Sequence, residues 1–195
     1  MSSKKKIGLF FGSFNPVHNG HMMIANYFAE FTDLEQVWLV VSPHNPLKPA
    51  GSLLNDYQRL HLVETAIGSY KKIKISKIEF GLPKPSYTIN TLVHLNEKFP
   101  QHEFVLIMGS DNLITFHKWK NFEQILENYK IYVYPRPDSD GGELKNHPFV
   151  KIIQAPLVEI SSTFIRQAIK EGKDVRFYLP ESVYDYIDEM NFYKK

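Results

Sequence analysis

Hydrophobic positions along this chain follow two rhythms that alternate from one end to the other. Short apolar runs bounded by Gly, Pro or polar residues read as buried strands, and stretches with apolar residues three and four apart read as helices with one buried face. Lys6–Phe11, closed by Gly12, predicts the first strand, and Met22, Met23, Ile24, Tyr27, Phe28 and Phe31 predict a helix from about Asn19 to Phe31. Val37–Val41 is the second strand, after which Pro43, Pro46 and Pro49 keep Ser42–Gly51 irregular. Tyr57, Leu60, Val63 and Ile67 mark a second helix, with Asn55 as its N-cap and Gly68 as its stop. Ile73 and Ile75, then Ile78 and Phe80 after a slip of phase, predict a bulged third strand ended by Pro83 and Pro85. Ser86 or Thr88 is placed to cap a helix carrying Ile89, Leu92, Val93 and Leu95. Phe104–Met108 is a strand with Gly109 at its carboxyl end, and Asn112–Phe116 and Phe122–Tyr129 read as helical on either side of Trp119. Ile131–Tyr134 is a strand, Pro135–Pro148 a long loop, and Phe149–Gln154 a further strand. Ser161 or Ser162 opens a helix through Lys170, stopped at Gly172, and Pro180 precedes a last helix with Val183, Tyr184 and Ile187.

Strands alternating with helices, without internal repeat or linker, predict one α/β domain over residues 1–195. Its expected architecture is a Rossmann-like, doubly wound, mostly parallel sheet with helices on both faces. Residues 1–5 read as a flexible leader. Ligands of such sheets sit beyond the carboxyl ends of the strands. Composition removes several alternatives. With 195 residues, 43% of them hydrophobic, a full core needs no staples. A net charge of +2, from 23 Lys+Arg against 21 Asp+Glu, supplies no basic surface, so no nucleic-acid partner is expected. No apolar run approaches the roughly 18 residues of a membrane span, so no membrane partner is expected either. Gly12–Pro16 breaks the first apolar run too early for a signal peptide. The absence of Cys excludes a disulfide framework, a thiolate metal site and a cysteine nucleophile, and fits a reducing, cytoplasmic setting.

Two strand-to-helix junctions carry the candidate chemistry. The first, Gly12-Ser-Phe-Asn-Pro-Val-His-Asn-Gly-His21, is neither a Walker A loop nor a GxGxxG fingerprint. Gly12 and Ser13 would let backbone N–H groups face a ligand, and the following helix start carries about half a positive charge. His18 and His21, three apart, fall on one side of the first turn and suit donation to phosphate oxygens. Two such histidines also occur as zinc ligands, though neither a third ligand nor an acidic partner is evident, and as solvated surface residues. The second junction, Ile160-Ser-Ser-Thr-Phe-Ile-Arg166, clusters the Ser161, Ser162 and Thr163 hydroxyls at a helix start, with Arg166 one turn in to fork onto a phosphate. Taken alone it would be an N-cap followed by a surface Arg.

Together these segments resemble the two signatures of the (H/T)xGH nucleotidyltransferase superfamily, GxFxPxHxGH and ISSTxxR, in the right order. Across most of the chain the likeness narrows to the bacterial nicotinate-nucleotide adenylyltransferase family. It is carried by Pro46-Leu-Lys48, Asp56-Tyr-Gln-Arg59, Pro85-Ser-Tyr-Thr-Ile-Asn-Thr-Leu92, Met108-Gly-Ser-Asp-Asn112 followed by Trp119, and Leu179-Pro-Glu-Ser-Val183. Leu47 stands where the family commonly has His, and Asn15 where many relatives have Asp.

The resemblance implies adenylyl transfer from ATP to nicotinate mononucleotide, with Mg²⁺ held through phosphates rather than by a protein cage. It implies His18, His21, Lys48 and Arg166 as the catalytic set, with Gly12, Ser13, Phe14, Ser161, Ser162 and Thr163 also on ATP. Gly109 and Asp111 would meet the adenosine, and Tyr87, Thr88 and Trp119 the nicotinate. A core role for Trp119 and a capping role for Thr88 are the simpler readings of those residues, and Arg136, which could touch ATP or face solvent, is expected to face solvent. Pantetheine phosphate or the amide mononucleotide are rival acceptors, and a nucleotide-binding regulatory module without turnover is a rival class. The oligomeric state stays open, a homo-oligomer included.

Overall fold

The computed structural model describes residues 4–43 and 53–194. In chain order the elements are β1 (Lys5–Gly12), α1 (Asn19–Phe31), β2 (Gln36–Val41), α2 (Asp56–Ile67), β3 (Ile73–Ser76), α3 (Thr88–Lys98), β4 (His102–Gly109), α4 (Ser110–Ile114), α5 (Phe122–Asn128), β5 (Lys130–Tyr134), β6 (Val150–Ile152), α6 (Ser162–Lys170) and α7 (Glu181–Glu189). All strand pairs are parallel, in the order β3-β2-β1-β4-β5-β6. The chain therefore winds outward from β1 in one direction and from β4 in the other. The carboxyl ends of these two neighbours form the switch point at which such sheets open a crevice.

Period-2 alternation decides which side of the sheet each strand residue serves. From β2, Val37, Leu39 and Val41, and from β4, Val105 and Ile107, point into one layer with α1, α2, α6 and α7. Ile7 and Leu9 of β1, and Phe104, Leu106 and Met108 of β4, point into the other with α3, α4 and α5. Both faces are covered, which is why the central strands read as unbroken apolar runs rather than alternating ones. Gly8 is the exception within β1, because a Cβ there would lie 2.6 Å from Ile107 Cδ1 and 2.7 Å from Leu34 Cδ1.

Asn55 caps α2 as expected, in a reciprocal box with Gln58, and Gly68 ends it at φ 55°. Four expectations are corrected. The third strand stops at Ser76, and Ile78–Gly81 is a 3-10 turn rather than a bulged continuation, because the Glu79 side chain is drawn inside to accept from Thr91 of α3 at 2.7 Å. Neither Ser86 nor Thr88 caps α3, whose N-cap is Tyr87 without a side-chain bond. The sixth strand spans only Val150–Ile152, and the preceding loop contains a 3-10 turn over Glu143–Asn146.

Candidate active site

The β1–α1 connection builds the floor of a cleft of about 650 Å³ at the switch point. His18 is the N-cap of α1, and its Nδ1 accepts from the backbone N–H of His21 at 3.3 Å. His21, three residues in, returns the bond by accepting from the backbone N–H of His18 at its own Nδ1, also at 3.3 Å. The two rings stack with centroids 3.7 Å apart. With Nδ1 accepting on each ring, the ring proton sits on Nε2, and that N–H is what each imidazole can offer a ligand. Phe14, at φ 45°, packs edge-on to His21 with centroids 5.1 Å apart. This fixes the ring from a second side.

Burial, and after it the nearby Arg136 cation, lowers the His18 pKa to about 4. His18 is 4% exposed, so folding selects its neutral form. A folded pKa below the ordinary value means the unfolded chain binds the extra proton. Stability from this group is complete above pH 6.5 and is lost as pH falls toward 4, by up to about 3 kcal/mol. His18→Asn keeps a capping oxygen without the titration. Its urea midpoint is expected to fall less steeply than the wild type's between pH 6.5 and 4, and parallel curves would refute this.

Two buried polar residues lock the loop in place. Arg59, 0% exposed on α2, donates to the carbonyls of Leu54, Ser13, Ser42 and Pro43 and to the Asp56 carboxylate, at 2.6–3.1 Å. It thereby ties the ends of β1 and β2 to the start of α2. Asn15 Oδ1 accepts from the Leu54 N–H at 3.2 Å and from the Tyr193 hydroxyl at 2.7 Å. Tyr193 is held as a neutral donor, burial pushing its phenol up. Asp56 and Leu54 are near neighbours of Arg59 in sequence, but the Ser13, Ser42 and Pro43 carbonyls, and the Leu54 and Tyr193 partners of Asn15, lie far along the chain.

The second junction docks directly on the first. Ser162 Oγ donates to the Pro16 carbonyl at 2.9 Å, and Arg166 Nη1 donates to the Asn15 carbonyl at 2.8 Å. Ser161 caps α6 by accepting from the Phe164 N–H, and Thr163 Oγ1 lies 3.4 Å from Arg166 Nη2. Gly12, Ser13, Phe14, His18 and His21 on one side, and Ser161, Ser162, Thr163 and Arg166 on the other, line the same cleft. Gly109 and Asp111, at the β4–α4 junction, form its next wall. A Cβ at Gly109 would crowd the Asp111 carboxylate and come within 2.9 Å of Arg136 Cγ.

Arg136 corrects an expectation. Instead of facing solvent it lines the cleft, its backbone N–H donating to Ser110 Oγ at 2.9 Å and Nη1 to the Val158 carbonyl at 3.2 Å. Tyr87, Thr88 and Trp119 form the far wall, where Lys120 Nζ sits 4.4 Å above the Tyr87 ring. Trp119 is half-buried against Phe116, centroids 5.1 Å apart, so it both packs and presents surface to the cleft. Lys48, and with it Leu47, lies outside the described residues. Glu79 and Tyr134, not among the residues expected at the site, also line the cleft. Their signals were an acid inside an apolar turn and an aromatic at a strand's carboxyl end.

The cleft offers imidazole and backbone N–H donors, hydroxyls and guanidinium groups at one rim, and an aromatic pocket at the other. Such a surface suits a polyphosphate joined to, or beside, a planar ring. No group of three or more His, Cys, Asp or Glu that could hold a metal ion occurs among the described residues. No helix among them is long and apolar enough to cross a membrane.

Comparison with known proteins agrees with this chemistry. The cytidylyltransferase-like family model matches residues 9–168. A protein of Flavobacterium johnsoniae named "Probable nicotinate-nucleotide adenylyltransferase" is 61% identical over 192 residues, covering 97% of this chain and 100% of its own length. One of the same name from Bacteroides thetaiotaomicron is 47% identical, covering 96% and 93%. Among solved structures, the Plasmodium falciparum nicotinic acid mononucleotide adenylyltransferase complexed with NaAD superposes with a TM-score of 0.81 at 22% identity, covering 97% and 98%. That likeness shows the fold.

Proposed function

The chain belongs to the cytidylyltransferase-like family and, within it, to the nicotinate-nucleotide adenylyltransferases, and from that premise we propose how it acts. It transfers the adenylyl group of ATP to nicotinate mononucleotide, giving nicotinate adenine dinucleotide and pyrophosphate in NAD biosynthesis. The observation that carries the reading is the meeting of the two junctions in one cleft, Arg166 lying 2.8 Å from the loop that leads into His18 and His21.

An oxygen of the mononucleotide's 5′-phosphate attacks the α-phosphorus of ATP, and the bond from that phosphorus to the bridging oxygen of the β-phosphate breaks. The electron pair leaves with pyrophosphate. A phosphate monoester has a second pKa of about 6, so the nucleophile is already ionised near neutrality and no general base is needed. What the protein supplies is alignment and charge neutralisation of two polyanions. The Nε2–H groups of His18 and His21 donate to ATP phosphates, His21 at the α-phosphoryl oxygens where charge develops. Arg166, Ser161, Ser162, Thr163 and the Gly12–Phe14 backbone hold the phosphates that depart, with Lys48, outside the described residues, proposed as a further cation for them. Gly109 and Asp111 receive the adenosine. Tyr87 and Thr88 offer N–H groups at the start of α3 to the nicotinate carboxylate, with Trp119 against its ring.

A divalent cation accompanies ATP, and we take it to be Mg²⁺. The donors around the cleft fit phosphate oxygens, so the ion would be carried by the nucleotide and its own waters, partly neutralising the triphosphate. The reaction is placed in the cytoplasm, in one nucleotidyltransferase domain. Pyrophosphate release measured with three acceptors tests the reading. The highest kcat/KM is expected with nicotinate mononucleotide, a lower one with its amide and none with phosphopantetheine. Turnover with phosphopantetheine alone would overturn it.

A further inference from the structure

Two polar atoms in the wall of the cleft are buried with no well-formed hydrogen bond among the described residues: Ser86 Oγ, and Glu79 Oε2, although the Ser42 hydroxyl lies beside that carboxylate. Glu79 is 2% exposed, and its other oxygen accepts the Thr91 hydroxyl at 2.7 Å. Thr91 lies one turn into α3 and Ser86 just before it, so both orphan atoms belong to the wall carrying Tyr87 and Thr88. Buried polar atoms are nearly always paired in native proteins, and two orphans on one ligand-facing wall call for a ligand.

We propose that Glu79 and Ser86 bind the ribose of the mononucleotide, Glu79 Oε2 accepting a hydrogen bond from a ribose hydroxyl. The inference rests on the adenylyl-transfer reading above. Donor chemistry singles out the ribose. At neutral pH nicotinate mononucleotide carries an ionised ring carboxylate, a pyridinium without an N–H and a largely ionised phosphate. Its remaining donors are the two ribose hydroxyls, so a carboxylate acceptor has nothing else on this substrate to engage. Near the ring carboxylate a second carboxylate would repel, whereas the Ser86 hydroxyl can give to one oxygen and take from another. Burial pushes the Glu79 carboxyl up, and the Thr91 and Ser42 hydroxyls beside it pull it back. A donated ribose O–H adds one more interaction that favours the charged form.

The test pairs E79Q and S86A with nicotinate mononucleotide and its 2′-deoxy and 3′-deoxy analogues. In the wild type, one deoxy analogue is expected to raise KM about tenfold, as befits loss of a bond to a charged acceptor. E79Q is expected to raise KM for the parent nucleotide by a similar factor, to leave kcat and the KM for ATP within about twofold, and to lose nothing more with that analogue. An unchanged KM in E79Q, full multiplication of the two penalties, or wild-type indifference to both analogues would overturn the proposal. Should E79Q fail to fold, the same coupling is read in S86A, which creates no new orphaned polar atom. A failed functional reading shows instead as absent wild-type turnover of the parent nucleotide.

Discussion

Replacing His21 with alanine is expected to lower kcat about 10²–10⁴-fold, with the KM for ATP changed only a few-fold. The size follows from what the ring does in the structure. Its Nδ1 is occupied by the His18 backbone N–H, and its faces are held by the His18 stack and by Phe14. The Nε2–H is therefore pre-oriented, and no reorganisation is needed when charge builds on the α-phosphoryl oxygens. A donor fixed in this way stabilises the transition state more than the ground state, so its loss is read in kcat. Alanine also removes half of the reciprocal cap on α1, which would be a structural rather than a chemical loss. His21→Asn separates the two, since its short amide can still accept from the His18 N–H but cannot carry a donor to the ring's far edge. Both variants should lose turnover comparably, while only alanine lowers the urea midpoint. Turnover within tenfold of wild type in folded His21→Asn would remove His21 from the chemistry.

The fold was readable because its central strands are buried on both faces. Val37–Val41 and Phe104–Met108 are continuous apolar runs, and helical spacing between them leaves little choice but parallel crossovers. Where the reading slipped, a polar residue had turned inward. Ile78-Glu79-Phe80 keeps the apolar alternation of a strand, yet the pull of Thr91 on Glu79 takes the chain out of the sheet. The cleft was legible at its two junctions because Gly, Ser and His at strand ends are residues of backbone access and donation, whose chemistry is local. Arg59, Asn15 and Tyr193 were not, for a physical reason. Arg59 as a sequence letter marks a charged helix position beside Asp56, and nothing near it tells that three carbonyls from distant segments converge there as well. Arg136 departs from its expected solvent position for the same cause, its carbonyl partner Val158 lying beyond a loop and a strand.

Arg59→Met is expected to destabilise the protein by about 4 kcal/mol or more, which at this chain length lowers Tm by roughly 8–16 °C. Methionine fills much of the volume but donates nothing, so the carbonyls of Ser13, Ser42, Pro43 and Leu54 lose a fixed donor at once. An unpaired buried carbonyl costs about 1–3 kcal/mol, and some of that returns as the loops relax toward water. Asp56 suffers less, because it is partly exposed and keeps Lys84 at 3.2 Å. Arg59→Lys retains the charge but brings a compact ammonium in place of a planar fork, which cannot reach all the acceptors spread around the guanidinium edge. It should fall about midway between wild type and methionine. Because Ser13 and Ser42 directly follow the strands that border the cleft, relaxation there displaces the phosphate-facing backbone. Arg59→Met assayed below its own Tm should therefore also lose turnover, with a raised KM for ATP. An urea midpoint indistinguishable from wild type would mean that this buried cation is not what holds the β1 and β2 ends together.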